Sequence, residues 1–156
     1  MGALLAALIA AAAMPVLQAT QAPQLVAKAA GNKTRPAVLH FWATWCEACR
    51  DEFPSLRPGL LKLPARGVGV LLVSIDQPRD RQKAQEMLAR YQLVALPAVL
   101  LDAPDPDPVL RAMGEPKWDG TLPATFVFDE KGKLRRSFVG RADPAALEAA
   151  IRSITR

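Results

Sequence analysis

Two cysteines and one histidine are all the thiolate and imidazole ligands that this chain of 156 residues holds. A structural zinc site takes about four ligands, which counts against that class. A c-type haem site is excluded, because Arg50 rather than histidine follows the second cysteine. A dense run of arginines is also missing. Arg50, Arg57, Arg66, Arg79, Arg90, Arg111 and Arg141 are scattered, and Arg135-Arg136 is the one close pair. The net charge of +5 therefore lacks the patch or stripe of a nucleic-acid binder, although it suits an acidic partner or an anionic membrane face. No Lys or Arg precedes Lys28, and the apolar stretch from Ala3 to Leu17 falls short of the ~20 residues that a spanning helix needs. It has the length of a signal-peptide core without the charged flank. Small residues at Thr20 and Ala22 suit a cleavage site, with Pro23 awkward directly after it. The expected division is residues 1–22 as a signal peptide or weak membrane tether and residues 23–156 as one domain. Hydrophobic residues make up 51% of the chain, enough for a real core at this length.

What the chain does have is Cys46-x-x-Cys49, within Phe41-Trp42-Ala43-Thr44-Trp45-Cys46-Glu47-Ala48-Cys49-Arg50-Asp51-Glu52-Phe53-Pro54. The apolar run Pro36 to Trp42 predicts a buried strand, and Glu47 to about Leu63 predicts a helix. A Cys-x-x-Cys at a strand-to-helix junction is a redox motif. Unpaired N–H groups at the helix start and the helix dipole favour a Cys46 thiolate. Cys49 lies one turn on, on the same face. A purely structural disulfide closing so small a loop would restrain the unfolded chain little, which leaves thiol–disulfide exchange as the stronger reading.

The other elements follow from pattern. Gln24 to Ala30 reads as a short helix stopped by Gly31-Asn32. Gly67 to Ile75 is a continuous apolar run with β-branched residues, a central parallel strand. Asp76-Gln77-Pro78 closes it. Ala84, Met87, Leu88 and Tyr91 form a helical stripe within Asp80 to Tyr91. Pro97 to Leu101 is a short strand, and the proline-rich connector Asp102 to Pro108 leads to a helical turn, Val109 to Met113. Strands at Ala124 to Asp129 and Lys133 to Gly140 form a hairpin across Glu130-Lys131-Gly132. Asp143 caps a last helix, with Pro144 at its first position. This order predicts an α/β fold with a mixed central sheet flanked by helices.

The motif FWATWCEACRDEFPSL resembles the active-site signature of the thioredoxin superfamily, and more narrowly that of TlpA/ResA-like thiol–disulfide oxidoreductases of bacterial envelopes. The resemblance implies a thioredoxin-like fold carrying a TlpA/ResA-type strand–helix insertion, supplied by Asp80 to Leu101, between the active-site helix and a cis-proline loop. It assigns Cys46 as nucleophile and Cys49 as the buried resolving thiol. It assigns Pro123, in Gly120-Thr121-Leu122-Pro123-Ala124, as the cis-proline, with Pro97 as a competing candidate. The Leu122 backbone would then pair with an extended substrate segment. Glu52, three residues after Cys49, corresponds to an acid associated with proton traffic at the cysteine pair; as a buried group it would accept the Cys49 proton, and otherwise it is a solvated helix glutamate. His40, six residues before Cys46, stands where thioredoxins have a buried aspartate and many TlpA-like proteins an asparagine. It is expected to point at the underside of the disulfide, as a proton acceptor or as a neutral core residue. Glu47 and Ala48 occupy the two central positions. The Glu47 carboxylate opposes a thiolate at Cys46, and Ala48 departs from the proline common there. Trp42 is expected in the core, with Trp45 as an apolar rim for a partner.

The combined expectation is an extracytoplasmic or periplasmic thiol–disulfide oxidoreductase acting mainly as a reductase. It would need no cofactor beyond the Cys46–Cys49 disulfide. Its substrates would be protein disulfides, such as those of apocytochrome c or copper-site proteins, and a membrane thiol reductant of the DsbD/CcdA type would restore it. Two alternatives stay open: a disulfide oxidase or isomerase, and a copper-binding chaperone on the same fold. Soft thiolates suit Cu(I), but no histidine follows the motif.

Overall fold

The computed structural model describes residues 13–155. Their strands form one six-stranded sheet in the order β1-β4-β3-β2-β5-β6. The strands are β1 (Val16–Gln18), β2 (Ala37–Trp42), β3 (Gly69–Ser74), β4 (Ala98–Asp102), β5 (Ala124–Phe128) and β6 (Leu134–Val139). The helices are α1 (Leu25–Ala29), α2 (Glu47–Lys62), α3 (Arg81–Arg90), α4 (Asp107–Met113) and α5 (Pro144–Ile154). β1, β4, β3 and β2 run parallel, whereas β5 pairs antiparallel with both β2 and β6. The sheet is mixed, as expected, and the Asp80 to Leu101 segment supplies α3 and β4. β4 lies between β1 and β3.

β2 and β3 are buried at every residue. Both of their faces are covered, which is why they read as unbroken apolar runs rather than alternating ones. Successive side chains still point to opposite faces. Val38 and Trp42 pack with Phe53, Leu56 and Leu60 of α2 and with Leu147 and Ile151 of α5. Leu39 and Phe41 pack on the other side with Leu25 of α1 and Val109 and Met113 of α4. His40 alternates with Leu39 and Phe41 and so shares the face that α2 covers. α5 begins as its sequence predicts: the Asp143 carboxylate accepts a hydrogen bond from Ala146 N–H at 2.9 Å, and Pro144 takes the first helical position.

The sheet extends to the N-terminal side of the expected boundary at residues 22 and 23. Val16–Gln18 pairs in parallel with Leu100–Asp102, Leu100 N–H donates to the Pro15 carbonyl at 2.8 Å, and Met14 and Ala22 are buried. The domain therefore includes the residues from Met14 onward, and a cut after Ala19 or Ala22 would remove its edge strand. A three-residue strand continuous with an alanine-rich apolar run carries too little pattern to be told from a leader. The rest of the leader assignment falls on residues 1–12, outside the described residues.

Gly69 starts β3 against the end of α1, where a Cβ would stand 2.0 Å from the Ala29 carbonyl oxygen. Gly59, inside α2, has nothing within 4 Å of such a Cβ. Gly69→Ala should lower the unfolding free energy by about 1–3 kcal/mol through overpacking. Gly59→Ala should raise it by about 0.5–1 kcal/mol through helix propensity. Urea unfolding of the two variants should move the midpoint in opposite directions.

Candidate active site

A helix start leaves backbone N–H groups without partners, and a side chain at the N-cap position answers one of them. In α2 that side chain is Cys46. Its backbone is extended (φ −86°, ψ 104°) and its sulfur accepts a hydrogen bond from Cys49 N–H at 3.1 Å. Cys46 and Cys49 are joined as a disulfide, with Cα atoms 5.3 Å apart. Cys46 is 7% exposed and Cys49 is fully buried, so Cys46 is the more accessible of the two.

The turn that delivers Cys46 is pinned from β3. Trp42 and Ser74 are register partners, and Ile75 N–H donates to the Trp42 carbonyl at 2.9 Å. Asp76 follows. Its buried carboxylate accepts from Thr44 N–H at 3.1 and 3.0 Å, from the Thr44 hydroxyl, and from the Ser74 hydroxyl at 2.7 Å. Three donors, one of them shared by both oxygens, offset the cost of burying this group. Sequence reasoning took Asp76 only as the residue that closes a strand. The available signal was its place at the end of a buried strand parallel to β2.

One turn after Cys49 on α2 lies a second buried acid. Glu52 is 2% exposed, so it is not a solvated helix residue. Its Oε2 accepts from Ala142 N–H at 2.6 Å. Its Oε1 faces His40 Nε2 at 3.5 Å, and neither of these two atoms has another partner. His40 is fully buried, and its Nδ1 lies 2.9 Å from the hydroxyl of Thr125, its register partner on β5. The ring nitrogens of His40 thus face Thr125 on one side and Glu52 on the other. Burial pulls the His40 pKa down to about 4. Burial pushes the Glu52 carboxyl up to about 7, against the Ala142 N–H bond and the positive field of Arg141.

The remaining expected residues sit at the same end of the sheet. Leu122–Pro123 is a cis peptide bond, the one cis bond among the described residues, so Pro97 is not the cis-proline. Ala124 is the register partner of Phe41, which brings the Pro123 loop beside the end of β2. Leu122 immediately precedes that ladder. Trp45 is 66% exposed and Glu47 is exposed in the first turn of α2, while Ala48 is half-buried against the core. Trp45 borders an open groove of about 680 Å³, whose lining includes Asp76, Gln77, Pro78, Asp102 and Pro104. Trp42 is wholly in the core and stacks edge-on to Phe53 at 5.4 Å.

A cysteine pair at the head of a helix that follows the central strand of a mixed sheet, opposite a cis-proline loop, defines a thioredoxin-like protein. Residues 11–137 match the AhpC/TSA family, and the chain belongs to that family. It is 29% identical over 116 residues to the thiol-disulfide oxidoreductase ResA of Geobacillus thermodenitrificans, covering 74% of this chain and 61% of that protein. It is 34% identical over 109 residues to the thiol:disulfide interchange protein DsbE of Pseudomonas fluorescens, covering 70% and 54%. This chain thus spans less than two thirds of the length of these curated relatives. The fold also matches the crystal structure of a thioredoxin-family thiol:disulfide interchange protein from Chlorobium tepidum. The TM-score is 0.66 at 19% identity, covering 82% of this chain and 85% of the other.

The buried pair makes stability depend on pH in two opposite ways. Glu52 binds its proton more tightly in the folded state, so its contribution is present below about pH 4.5 and is lost as pH rises through about 7. His40 binds its proton less tightly in the folded state, so its contribution is present above about pH 6.5 and is lost as pH falls through about 4. Each amounts to at most about 3 kcal/mol, and the two oppose one another between pH 4.5 and 6.5. His40→Asn should therefore expose a loss of stability from pH 4.5 to 7. Glu52→Gln should expose a loss from pH 6.5 down to 4. Urea midpoints of the oxidised protein across this range check both signs.

Proposed function

We propose that this chain reduces disulfides of partner proteins by thiol–disulfide exchange on the extracytoplasmic side of a membrane. The observation that carries the proposal is the position of Cys46: its sulfur caps α2, and it is the less buried of the pair, Cys49 being fully buried. In the dithiol form, the N–H groups and dipole of the helix start stabilise a Cys46 thiolate. That thiolate attacks one sulfur of the partner's disulfide. A Cys46–partner bond forms, and the partner's other sulfur leaves as a thiolate and takes up a proton. Cys49 then gives its proton to Glu52. The Cys49 sulfur attacks Cys46, closes the disulfide and releases the partner's second sulfur as a thiolate, which takes up a proton. The partner gains two electrons and the cysteine pair loses two.

Several features support this direction and setting. The Glu47 carboxylate beside Cys46 disfavours a second negative charge there and so favours the disulfide form of the pair. Trp45 and its groove give a partner an apolar rim, and Leu122, just before the β5 ladder, offers backbone for strand addition. The relatives named ResA and DsbE are a thiol-disulfide oxidoreductase and a thiol:disulfide interchange protein. On that analogy the substrates belong to classes such as apocytochrome c or copper-site proteins, and a membrane thiol reductant of the DsbD/CcdA type resets the pair.

The assignment of roles has a direct test. Cys49→Ser, incubated with a disulfide-bonded target protein, should accumulate a covalent complex that survives denaturing gel electrophoresis and disappears with dithiothreitol. Cys46→Ser should trap none. Trapping by Cys46→Ser alone would reverse the assignment of nucleophile and resolving thiol.

A further inference from the structure

Glu52 has to exist in two protonation states if it takes a proton from Cys49, and both states lie in a site closed to water. A buried carboxylate needs donors, and a buried carboxylic acid needs an acceptor for its O–H. Ala142 N–H serves Oε2 in either state. Oε1 has no hydrogen-bond partner in place and faces His40 Nε2 at 3.5 Å. One atom must therefore be a donor in one state and an acceptor in the other. A neutral imidazole does this by changing tautomer, provided that its other nitrogen tolerates both forms. Nδ1 faces the hydroxyl of Thr125, which rotates to donate or to accept.

We infer that His40 and Thr125 form a relay that satisfies both protonation states of Glu52, the His40 ring changing tautomer as the carboxyl gains or loses its proton. With Glu52 ionised, Nε2–H donates to Oε1 and the Thr125 hydroxyl donates to Nδ1. With Glu52 protonated, its Oε1–H donates to Nε2, and Nδ1–H donates to Thr125. The two states differ by one proton, carried on the carboxyl. The imidazole stays neutral in both, because a proton leaves Nε2 as one appears on Nδ1. His40 is thus a positioning residue that acts through Glu52. The charges around the pair do not replace this relay. Arg141, from the loop before α5, is held at the surface by Asp51 of α2 at 2.9 Å. Phe53 packs on the ring at 5.7 Å between centroids, and β5 contributes the uncharged Thr125.

This inference rests on the proton-accepting role proposed for Glu52, but its test needs no partner. The chain has one histidine, so histidine labelled with nitrogen-15 gives one pair of ring signals. Long-range proton–nitrogen spectra of the oxidised full chain, recorded from pH 5.5 to 8.5 with the Glu52 carboxyl carbon followed in parallel, read both groups. The expected result is an Nδ1–H tautomer at low pH and an Nε2–H tautomer at high pH, sharing the midpoint of Glu52. Glu52→Gln should hold one tautomer throughout. A single tautomer in the wild-type protein while Glu52 titrates, a Glu52 that does not titrate, or ring nitrogens moving together to imidazolium values would each overturn the relay. Thiol exchange through Cys46 would stand in all three cases, because the trapping of partners reads it separately.

Discussion

The hydrogen bond from Cys49 N–H to the Cys46 sulfur is the contact on which the rest of the site depends. A helix start requires an acceptor, and most chains supply an oxygen from Ser, Thr, Asp or Asn. Here a sulfur supplies it, so one atom serves as helix cap and as reactive group. An anionic acceptor makes a stronger hydrogen bond than a neutral one, and the geometry that starts α2 therefore also favours the thiolate. The cap works only if Cys46 is held just outside the helix. β2 does this from one side by ending at Trp42, and Asp76 does it from the other by binding Thr44 at both its amide and its hydroxyl.

The cost of the arrangement sits in a buried pair. His40 and Glu52 are both removed from water, and burial shifts each toward its neutral form. An apolar pair of the same size would avoid that cost, and a buried ion pair or its neutral equivalent is weak evidence for stability. In the proposed exchange the pair moves protons, because a carboxyl poised near neutrality accepts and releases a proton at little cost. Ala142 ties this chemistry to the far end of the chain: the loop before α5 supplies both its N–H to Glu52 and Arg141 to Asp51. The cysteine helix and the last helix thus share one hydrogen-bonded seam as well as one apolar face.

Much of the frame was legible from local pattern. The unbroken apolar runs of β2 and β3, the hairpin of β5 and β6, the Asp143-Pro144 start of α5 and the place of Cys46 at a helix start all depend on neighbours in sequence. What escaped depends on contacts between distant residues. Asp76 reads as an ordinary turn residue until β3 is laid beside β2. Thr125 acquires a role only once β5 is registered antiparallel to β2 with His40 opposite. Ala142 contributes a backbone N–H, which no side-chain pattern records. The edge strand β1 was missed for a different reason: Val16–Gln18 is too short to alternate, and an alanine-rich run precedes it, so its composition matched a leader better than a strand.

The most direct measurement of the central claim is the equilibrium reduction potential of the Cys46–Cys49 pair, read from tryptophan fluorescence in defined thiol–disulfide buffers. Trp45, exposed beside Cys46, is the natural reporter. A protein that reduces its partners should show one reversible two-electron transition at about −230 mV or below, in the range of glutaredoxins and thioredoxin. A value near about −120 mV, that of the strong oxidant DsbA, would contradict the account and make the protein a donor of disulfides instead.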